Sequence, residues 1–237
     1  MEMKYRHEYK YVCNAKQNAI LKLRADGILK KDKHVGMDGA YRIRSLYFDD
    51  WNDRCYYENE SGIGERDKYR IRIYNEDITR ITLEKKSKSR GMTLKTGCSL
   101  TREECMMLMK QEIPGIRQDM SSTKQCLLTE LMLREMRPVV IVEYVRYPYV
   151  EKAGNVRITF DEDIRSSNDL GDFLEKNIKV RPIMEKGQSI LEVKWDEFIP
   201  GYIKQNMDTN ALQRSSFSKY YLCRRFNTYG AFLLSNK

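Results

Sequence analysis

The stretch Asp67-Lys68-Tyr69-Arg70-Ile71-Arg72-Ile73-Tyr74 decides how this chain is read. Side chains alternate across a β-strand, so Lys68, Arg70 and Arg72 line one face while Tyr69, Ile71 and Ile73 line the other. On an open sheet such a charged face is simply solvated. Whether it is instead a site depends on how many other strands repeat the arrangement.

Residues 3–11 alternate Tyr5, His7, Tyr9 and Tyr11 with Arg6, Glu8 and Lys10. Residues 41–48 set Tyr41 and Ile43 against Arg42 and Arg44, with the alternation fading toward Phe48. Residues 80–87 place Ile81 and Leu83 opposite Thr82, Glu84 and Lys86, and are predicted to pair as a hairpin with 67–74 across a turn at 75–77. Residues 85–90 read as a basic loop, and 92–97 as a short strand carrying Thr93 and Lys95. Residues 139–147 are the most β-rich run, with Val140, Val142, Tyr144 and Arg146 on one face; 156–161 carries Arg157, Thr159 and Asp161, and 190–195 carries Glu192 and Lys194.

Helical periodicity occupies the gaps. Asn14 caps a predicted helix through Arg24 with Ala19, Ile20 and Leu23 as its apolar stripe, and Thr101 with Glu104 forms a capping box for a helix through Gln111. Residues 122–136 present Leu127, Leu128, Leu131 and Met132 at helical spacing. Short helices are predicted over 51–59 and 169–177, and a helical C-terminal region contains Phe217-Ser218-Lys219-Tyr220.

The only large apolar surface these helices can cover is the apolar face of the strands, so they pack outside the sheet. If the sheet closes, its edges vanish and the charged faces meet in one lumen. The expected fold is therefore α+β: a closed eight-stranded antiparallel β-barrel with a charged lumen and helices outside, formed as one domain over residues 1–237. A flat sheet with a solvated charged face is the alternative. Unit charges about 4 Å apart interact by ~4 kcal/mol at an effective dielectric near 20, so a lumen rich in cations calls for an anionic occupant.

Composition agrees. Lys plus Arg number 43 against 34 Asp plus Glu, a formal charge of +9 that suits an anionic partner. The six cysteines form no Cys-x-x-Cys pair and only two histidines are present, which argues against a structural zinc. No signal-peptide core or membrane-spanning run is found, so a cytoplasmic location is expected. A Walker-type phosphate loop, a dinucleotide fingerprint and a Gly-x-Ser-x-Gly elbow are all missing, so any triphosphate site must be built otherwise.

Arginine forks and lysine charges on rigid strands clamp phosphoryl groups, which is most of what phosphoryl transfer asks of a protein. Glu8, Glu84, Asp161 and Glu192 are either oxygen ligands for Mg²⁺ or Mn²⁺ or ion-pair partners of neighbouring cations, with Glu192 the first choice for metal. His7 and His34 read as ordinary strand or surface residues, and the cysteines as buried small side chains.

The order Arg6-His-Glu8-Tyr-Lys10-Tyr11, Tyr47-Phe48-Asp49, Lys68-Tyr69-Arg70-Ile-Arg72, Leu83-Glu84-Lys85-Lys86, Tyr144-Val-Arg146, Arg157-x-x-x-Asp161, Leu191-Glu192-Val193-Lys194 and Ser216-Phe217-Ser218-Lys219-Tyr220 resembles the polyphosphate polymerase domain of the vacuolar transporter chaperone family, within the triphosphate tunnel metalloenzymes. The resemblance implies an eight-stranded tunnel that transfers the terminal phosphoryl group of ATP to inorganic polyphosphate, releases ADP and uses a divalent metal, commonly Mn²⁺. Carried over by position, it implies Arg70, Arg72, Lys86, Arg146 and Lys219 as the catalytic cations, Lys10, Lys95, Tyr144 and Ser218 as further substrate contacts, and Glu192 as metal ligand. Arg44 and Lys194 join the substrate-binding set from the charged faces, while Lys68, at the start of its strand, is left out. The Glu8-Tyr-Lys10 start is shorter than the Glu-x-Glu-x-Lys signature of the wider superfamily, which favours the polymerase branch. Such polymerases are often fused to a helical phosphate-sensing domain and to membrane helices; neither is found here, so a stand-alone domain is expected, with a separate membrane partner if product is exported. No nucleic-acid partner is expected. Two rival readings remain: a tunnel hydrolase that splits triphosphates with water, and a non-catalytic module that binds polyphosphate or RNA.

Overall fold

In the computed structural model, which describes residues 5–209 and 212–225, the elements run β1 (Arg6–Cys13), α1 (Ala15–Ile28), β2 (Lys30–Lys31), β3 (Tyr41–Asp49), α2 (Arg54–Glu60), β4 (Arg66–Tyr74), β5 (Asp77–Ser89), β6 (Met92–Leu100), α3 (Arg102–Met109), α4 (Ser122–Leu133), β7 (Arg137–Glu151), β8 (Val156–Ser167), β9 (Arg181–Pro182), β10 (Ser189–Trp195) and α5 (Gly201–Met207). Residues 219–225 form a further helix. Residues 3 and 4 of the predicted first strand lie outside the described residues.

Eight antiparallel strands close a ring in the order β7-β3-β4-β5-β6-β1-β10-β8, with β8 returning to β7. Each of the eight expected strands supplies one stave. The two short strands are extensions: β2 pairs with Tyr149 and Val150 of β7, past the last β3 pair at Arg146, and β9 pairs with Arg165 and Ser166 of β8. The outward faces carry two apolar clusters. The larger joins β3, β4, β5 and β7 to α2, α3, α4 and Tyr220; the smaller joins β1, β8 and β10 to α1 and α5. The helices therefore cover the barrel from outside, as their stripes require.

Several local expectations change. α1 buries Leu21 and Ala25 rather than Ala19, Ile20 and Leu23, because it runs on to Ile28 and its contact row is the i, i+4 ridge that continues to Leu29. Met132 is exposed on α4, while Leu127, Leu128 and Leu131 are buried. Residues 85–89 are not a loop: β5 pairs with β6 as far as Ser89 opposite Met92, and the chain reverses at Arg90 and Gly91, both at positive φ as a two-residue hairpin turn demands. Residues 169–177 hold only a 3-10 turn at Leu170–Asp172.

The ring is least fully paired between β1 and β6: among the described residues they pair through Arg6 opposite Thr93 and His7 opposite Met92. Further along β1, residues 214 and 215 take over the edge: Arg214 bridges to Tyr11, and the Ser215 N–H donates to the Lys10 carbonyl at 2.8 Å. This strap is held by the helix that follows it. Tyr220 donates to Asp49, Arg224 pairs with Asp53 at 2.5 Å, and the Tyr221 ring stacks on Tyr56 with centroids 5.2 Å apart. Asp49, fully buried at the end of β3, also accepts from the Cys55 and Tyr56 N–H groups at 2.8 and 3.1 Å, so one carboxylate joins β3, the start of α2 and the terminal helix.

Asp49→Ala leaves those buried donors unsatisfied, at about 1–3 kcal/mol for each group so stranded. Urea denaturation should show a loss of roughly 3 kcal/mol or more; a loss below about 1 kcal/mol would mean the terminal helix is held by other contacts.

Candidate active site in the barrel lumen

Register assigns the inward faces. Ser45 and Tyr47 of β3 stand opposite Arg72 and Arg70 of β4; Arg70 stands opposite Glu84 of β5, and Glu84 opposite Gly97 of β6. On the other wall, Glu8 and Lys10 of β1 stand opposite Lys194 and Glu192 of β10, and Arg146 of β7 opposite Asp161 of β8. These side chains surround a cavity of about 730 Å³ lined by fourteen lysines and arginines, with Glu8 and Glu192 the carboxylates on its surface. That volume is in the range of small-molecule sites. Glu84 and Asp161 sit behind the lining, 1% and 0% exposed.

Four carboxylates organise the cations. Arg70 Nε and Nη2 reach one Glu84 oxygen at 2.8 and 2.7 Å, Lys95 Nζ reaches the other at 2.9 Å, and Arg72 lies at 3.8 Å. Gly97 makes room for this group, since a Cβ there would lie 3.0 Å from the Leu83 carbonyl and 3.5 Å from Glu84 Cγ. Asp161 takes a two-pronged bond from Arg146 at 2.6 and 2.7 Å and a lysine contact from Lys219 at 2.5 Å. Glu192 accepts from Lys219 at 2.9 Å, Lys194 at 2.7 Å and Arg146 at 3.3 Å. Glu8 accepts from Lys86 at 2.6 and 3.0 Å and from Thr93 at 3.2 Å, and Lys10 Nζ lies 3.3 Å from Glu8 and 3.6 Å from Glu192. Phenols and a hydroxyl complete the arginine shells: Arg70 donates to Tyr47 at 3.0 Å, and Arg72 to Tyr144 and Ser45 at 3.2 Å each.

Burial works against every one of these charges, and the neighbours decide the outcome. Glu8 is pushed up by burial but pulled further down by Lys86, Lys10 and Lys194, so it stays well below the usual carboxylate range. Glu192 is likewise held down against its burial by Lys194, Lys219, Lys10 and Arg146. The lysines divide. Lys219 is raised despite burial because Asp161 and Glu192 flank it, whereas burial pulls Lys86 down to about 7 even with Glu8 beside it, and also lowers Lys194 and Lys68.

Of the residues expected from the sequence, Lys10, Arg70, Arg72, Lys86, Lys95, Tyr144, Arg146, Glu192, Lys194, Ser218 and Lys219 all line this cavity. Arg44 does not. It stands opposite Glu143 and Ile73 on the outward face, 2% exposed, with Nε 2.9 Å from Glu143 and Nη1 donating to the carbonyls of Phe173 and Glu175. On β3 the polar alternation points the wrong way, because the inward positions are Tyr41, Ile43, Ser45 and Tyr47, and the hydroxyls of Tyr41, Ser45 and Tyr47 accept from Arg157, Arg72 and Arg70 of other strands. Lys68, excluded at first, belongs to the lining: its Nζ donates to Asn59 at 2.7 Å and to Ser218 at 2.6 Å. Asn59, Arg66, Lys88, Arg157 and Arg214 also line the cavity. The alternation of β4, β5 and β8 contains the signal for Arg66, Lys88 and Arg157; nothing in the sequence signals Asn59 or Arg214, which arrive from a helix and from the strap. His7 stacks outward on Trp195 with ring centroids 5.0 Å apart, and no histidine lines the cavity among the described residues. Cys13, Cys55, Cys105 and Cys223 are buried as expected, but Cys126 is exposed.

The antiparallel barrel of eight strands around a lumen of paired arginines, lysines and carboxylates has the triphosphate tunnel fold. The chain belongs to the VTC domain family, which matches residues 5–226. Two solved structures share the fold. A candidate adenylate cyclase from Bacillus halodurans superposes with a TM-score of 0.54 at 13% identity, over 92% of this chain and 96% of that one. A candidate adenylyl cyclase from Hippeastrum, described as having a dominant triphosphatase activity, gives a TM-score of 0.53 at 13% identity, over 94% and 96% of the two chains. At that identity the likeness is one of fold. No curated protein matches the sequence.

A phosphate anion bound in the interior of this lumen would oppose the depression of Lys86 and Lys194, favouring their ammonium forms in the complex. The free protein deprotonates Lys86 as pH rises through about 7, so binding should take up protons above that pH and weaken as pH rises further. Calorimetric titration with tripolyphosphate at about pH 8, in buffers of different ionisation enthalpy, should show net proton uptake that falls in Lys86→Met; proton release would contradict the assignment.

Proposed function

We propose that the protein is a divalent-metal-dependent polyphosphate polymerase, one domain over residues 1–237, that transfers the γ-phosphoryl group of ATP to the end of an inorganic polyphosphate chain and releases ADP. The observation that carries this reading over a site for a triphosphate alone is the length of the cationic wall. Arg66, Lys68, Arg70 and Arg72 all line the cavity from alternate positions of β4, and six residues of strand span about 20 Å. Successive phosphorus atoms share a single oxygen, so a triphosphate occupies less than half of that ladder. A polymer fills it. Membership of the VTC domain family and the fold shared with a plant protein described as a triphosphatase both support phosphoryl chemistry in this lumen.

In the reaction, a terminal oxygen of the acceptor chain bonds to the γ-phosphorus as the bridging P–O bond to the β-phosphate breaks, and charge moves onto the departing ADP. Arg70, Arg72, Arg146, Lys86 and Lys219 hold that charge, already oriented by Glu84, Asp161, Glu192 and Glu8, so little reorganisation is needed at the moment of transfer. Lys10, Lys95, Lys194, Tyr144 and Ser218 bind the rest of the polyanion.

A divalent ion fits the donors present. Among the described residues no group of three or more His, Cys, Asp or Glu side chains comes together. Mg²⁺ and Mn²⁺ sites that also use substrate phosphates need only one or two carboxylates. Glu192, with Glu8 on the adjoining strand, would supply them, both within 3.6 Å of the same ammonium, Lys10 Nζ. Held there, the ion would supply positive charge that offsets the negative charge of the phosphates. Among the described residues no helix is long and apolar enough to cross a membrane; a separate membrane partner for export of the product is part of this proposal.

Incubation with ATP and Mn²⁺ followed by gel electrophoresis should give a ladder of polyphosphate chains. Free phosphate without a ladder would establish hydrolysis instead, and no turnover of ATP would leave a binding module. Glu192→Gln is expected to lower turnover by roughly 100-fold or more while melting cooperatively.

A further inference from the structure

The fourteen lining cations are not equivalent. Ten have a carboxylate partner within 4 Å, whereas Arg66, Lys68, Lys88 and Arg214 have none among the described residues. Arg214 packs over the Tyr9 ring at 3.6 Å. The other three lie together at one rim of the barrel, where β4 begins and β5 ends before the turn at Arg90 and Gly91. Arg66 stands directly opposite Lys88, and Lys68 opposite Lys86. Like charges placed opposite each other across a ladder are destabilising. Lys86 is compensated by Glu8, but Arg66 and Lys88 face each other with no anion between them. Burial and neighbouring cations lower Lys68 and Lys88, and burial lowers Arg66; Glu58 opposes the shift of Arg66 and Glu8 that of Lys88, both from beyond ion-pair distance.

We infer that Arg66, Lys88 and Lys68 form a distal subsite for a polyphosphate chain, separate from the carboxylate-compensated cations that hold the reacting phosphates. This rests on the polyphosphate reading above. In the interior, Glu84, Glu8, Asp161 and Glu192 hold eight of the ten paired cations, and Asp196 and Asp32 hold Arg6 and Arg157. At the rim no carboxylate among the described residues holds Arg66, Lys68 or Lys88, so an anion gains the full attraction of three cations without displacing an ion pair. A tripolyphosphate held in the interior does not extend to the rim; a long chain does. The subsite therefore selects for chain length: it holds the growing polymer between transfers without touching the transferred group.

The test compares the affinities of tripolyphosphate and of a polyphosphate tens of residues long, at fixed salt, in wild type and in Arg66→Gln/Lys88→Gln. Long-chain binding is expected to weaken about tenfold or more, with tripolyphosphate binding kept within about twofold. Lys88→Glu is a second variant, which can pair with Arg66 across the ladder; it should melt no lower than wild type and also weaken long-chain binding selectively. Equal loss for both ligands, or loss for neither, overturns the subsite. So does an equal loss in Arg102→Gln/Lys110→Gln, which removes two exposed charges from α3 and its end and would reveal bulk electrostatics. If wild type binds neither ligand, the polyphosphate reading itself fails, and the subsite with it.

Discussion

The constraint on which the rest of the molecule depends is the crowding of cations on the inside of a closed sheet. A barrel of eight strands brings inward-facing residues from opposite walls into one small volume, where water cannot screen them as it does at a surface. Four buried carboxylates make this tolerable. Glu84 serves Arg70, Arg72 and Lys95; Asp161 serves Arg146 and Lys219; Glu192 and Glu8 serve the lysines of β1, β5 and β10. Breaking a buried pair leaves an uncompensated charge, so these partners are also what keeps the guanidinium and ammonium groups in fixed positions. Removing a lumen cation is thus more than relief of repulsion: Arg70→Ala would leave Glu84 dependent on Lys95 and the more distant Arg72.

The outer layer serves the same end by another route. α2 and the helix over 219–225 converge on Asp49 and Asp53, and through them the strap that seals the β1–β6 seam is fixed to β3. Lys219 and Ser218 enter the lumen from that strap, and Lys10 Nζ donates to the Phe217 carbonyl at 3.0 Å. Lumen and shell are coupled. Among the described residues two cross-strand residue pairs join β1 to β6, and the passing segment at Arg214 and Ser215 adds backbone contacts to β1.

Much of this was legible in one dimension because a closed barrel repeats a single rule. Period-two alternation identifies the inward faces of β1, β4, β5, β6, β8 and β10 wherever the outward face is uniformly apolar, and it therefore picked Lys10, Arg70, Arg72, Lys86, Lys95 and Lys194. It failed on β3, where both faces are buried: Arg44 is polar and outward, satisfied by Glu143 and by loop carbonyls, while the inward side carries tyrosines and a serine. Alternation placed Lys68 on the inward face, but its position at the start of the strand argued against it; that position does not tell how far the neighbouring α2 reaches over it, and Asn59 of that helix accepts from the Lys68 ammonium in the lining.

The sequence by itself determined the eight strands, the inward charge of most of them and the resemblance in motif order, because these depend on residue type at fixed spacing along one strand. Only the tertiary structure decided which carboxylate holds which cation, since those pairs join residues up to about 190 positions apart through register and closure. It alone showed that Arg44 turns outward, that the strap completes the wall, and that among the described residues Arg66, Lys68 and Lys88 have no carboxylate within 4 Å. Charge compensation is a property of neighbours in space, and the chain reveals those neighbours only once the ring has closed.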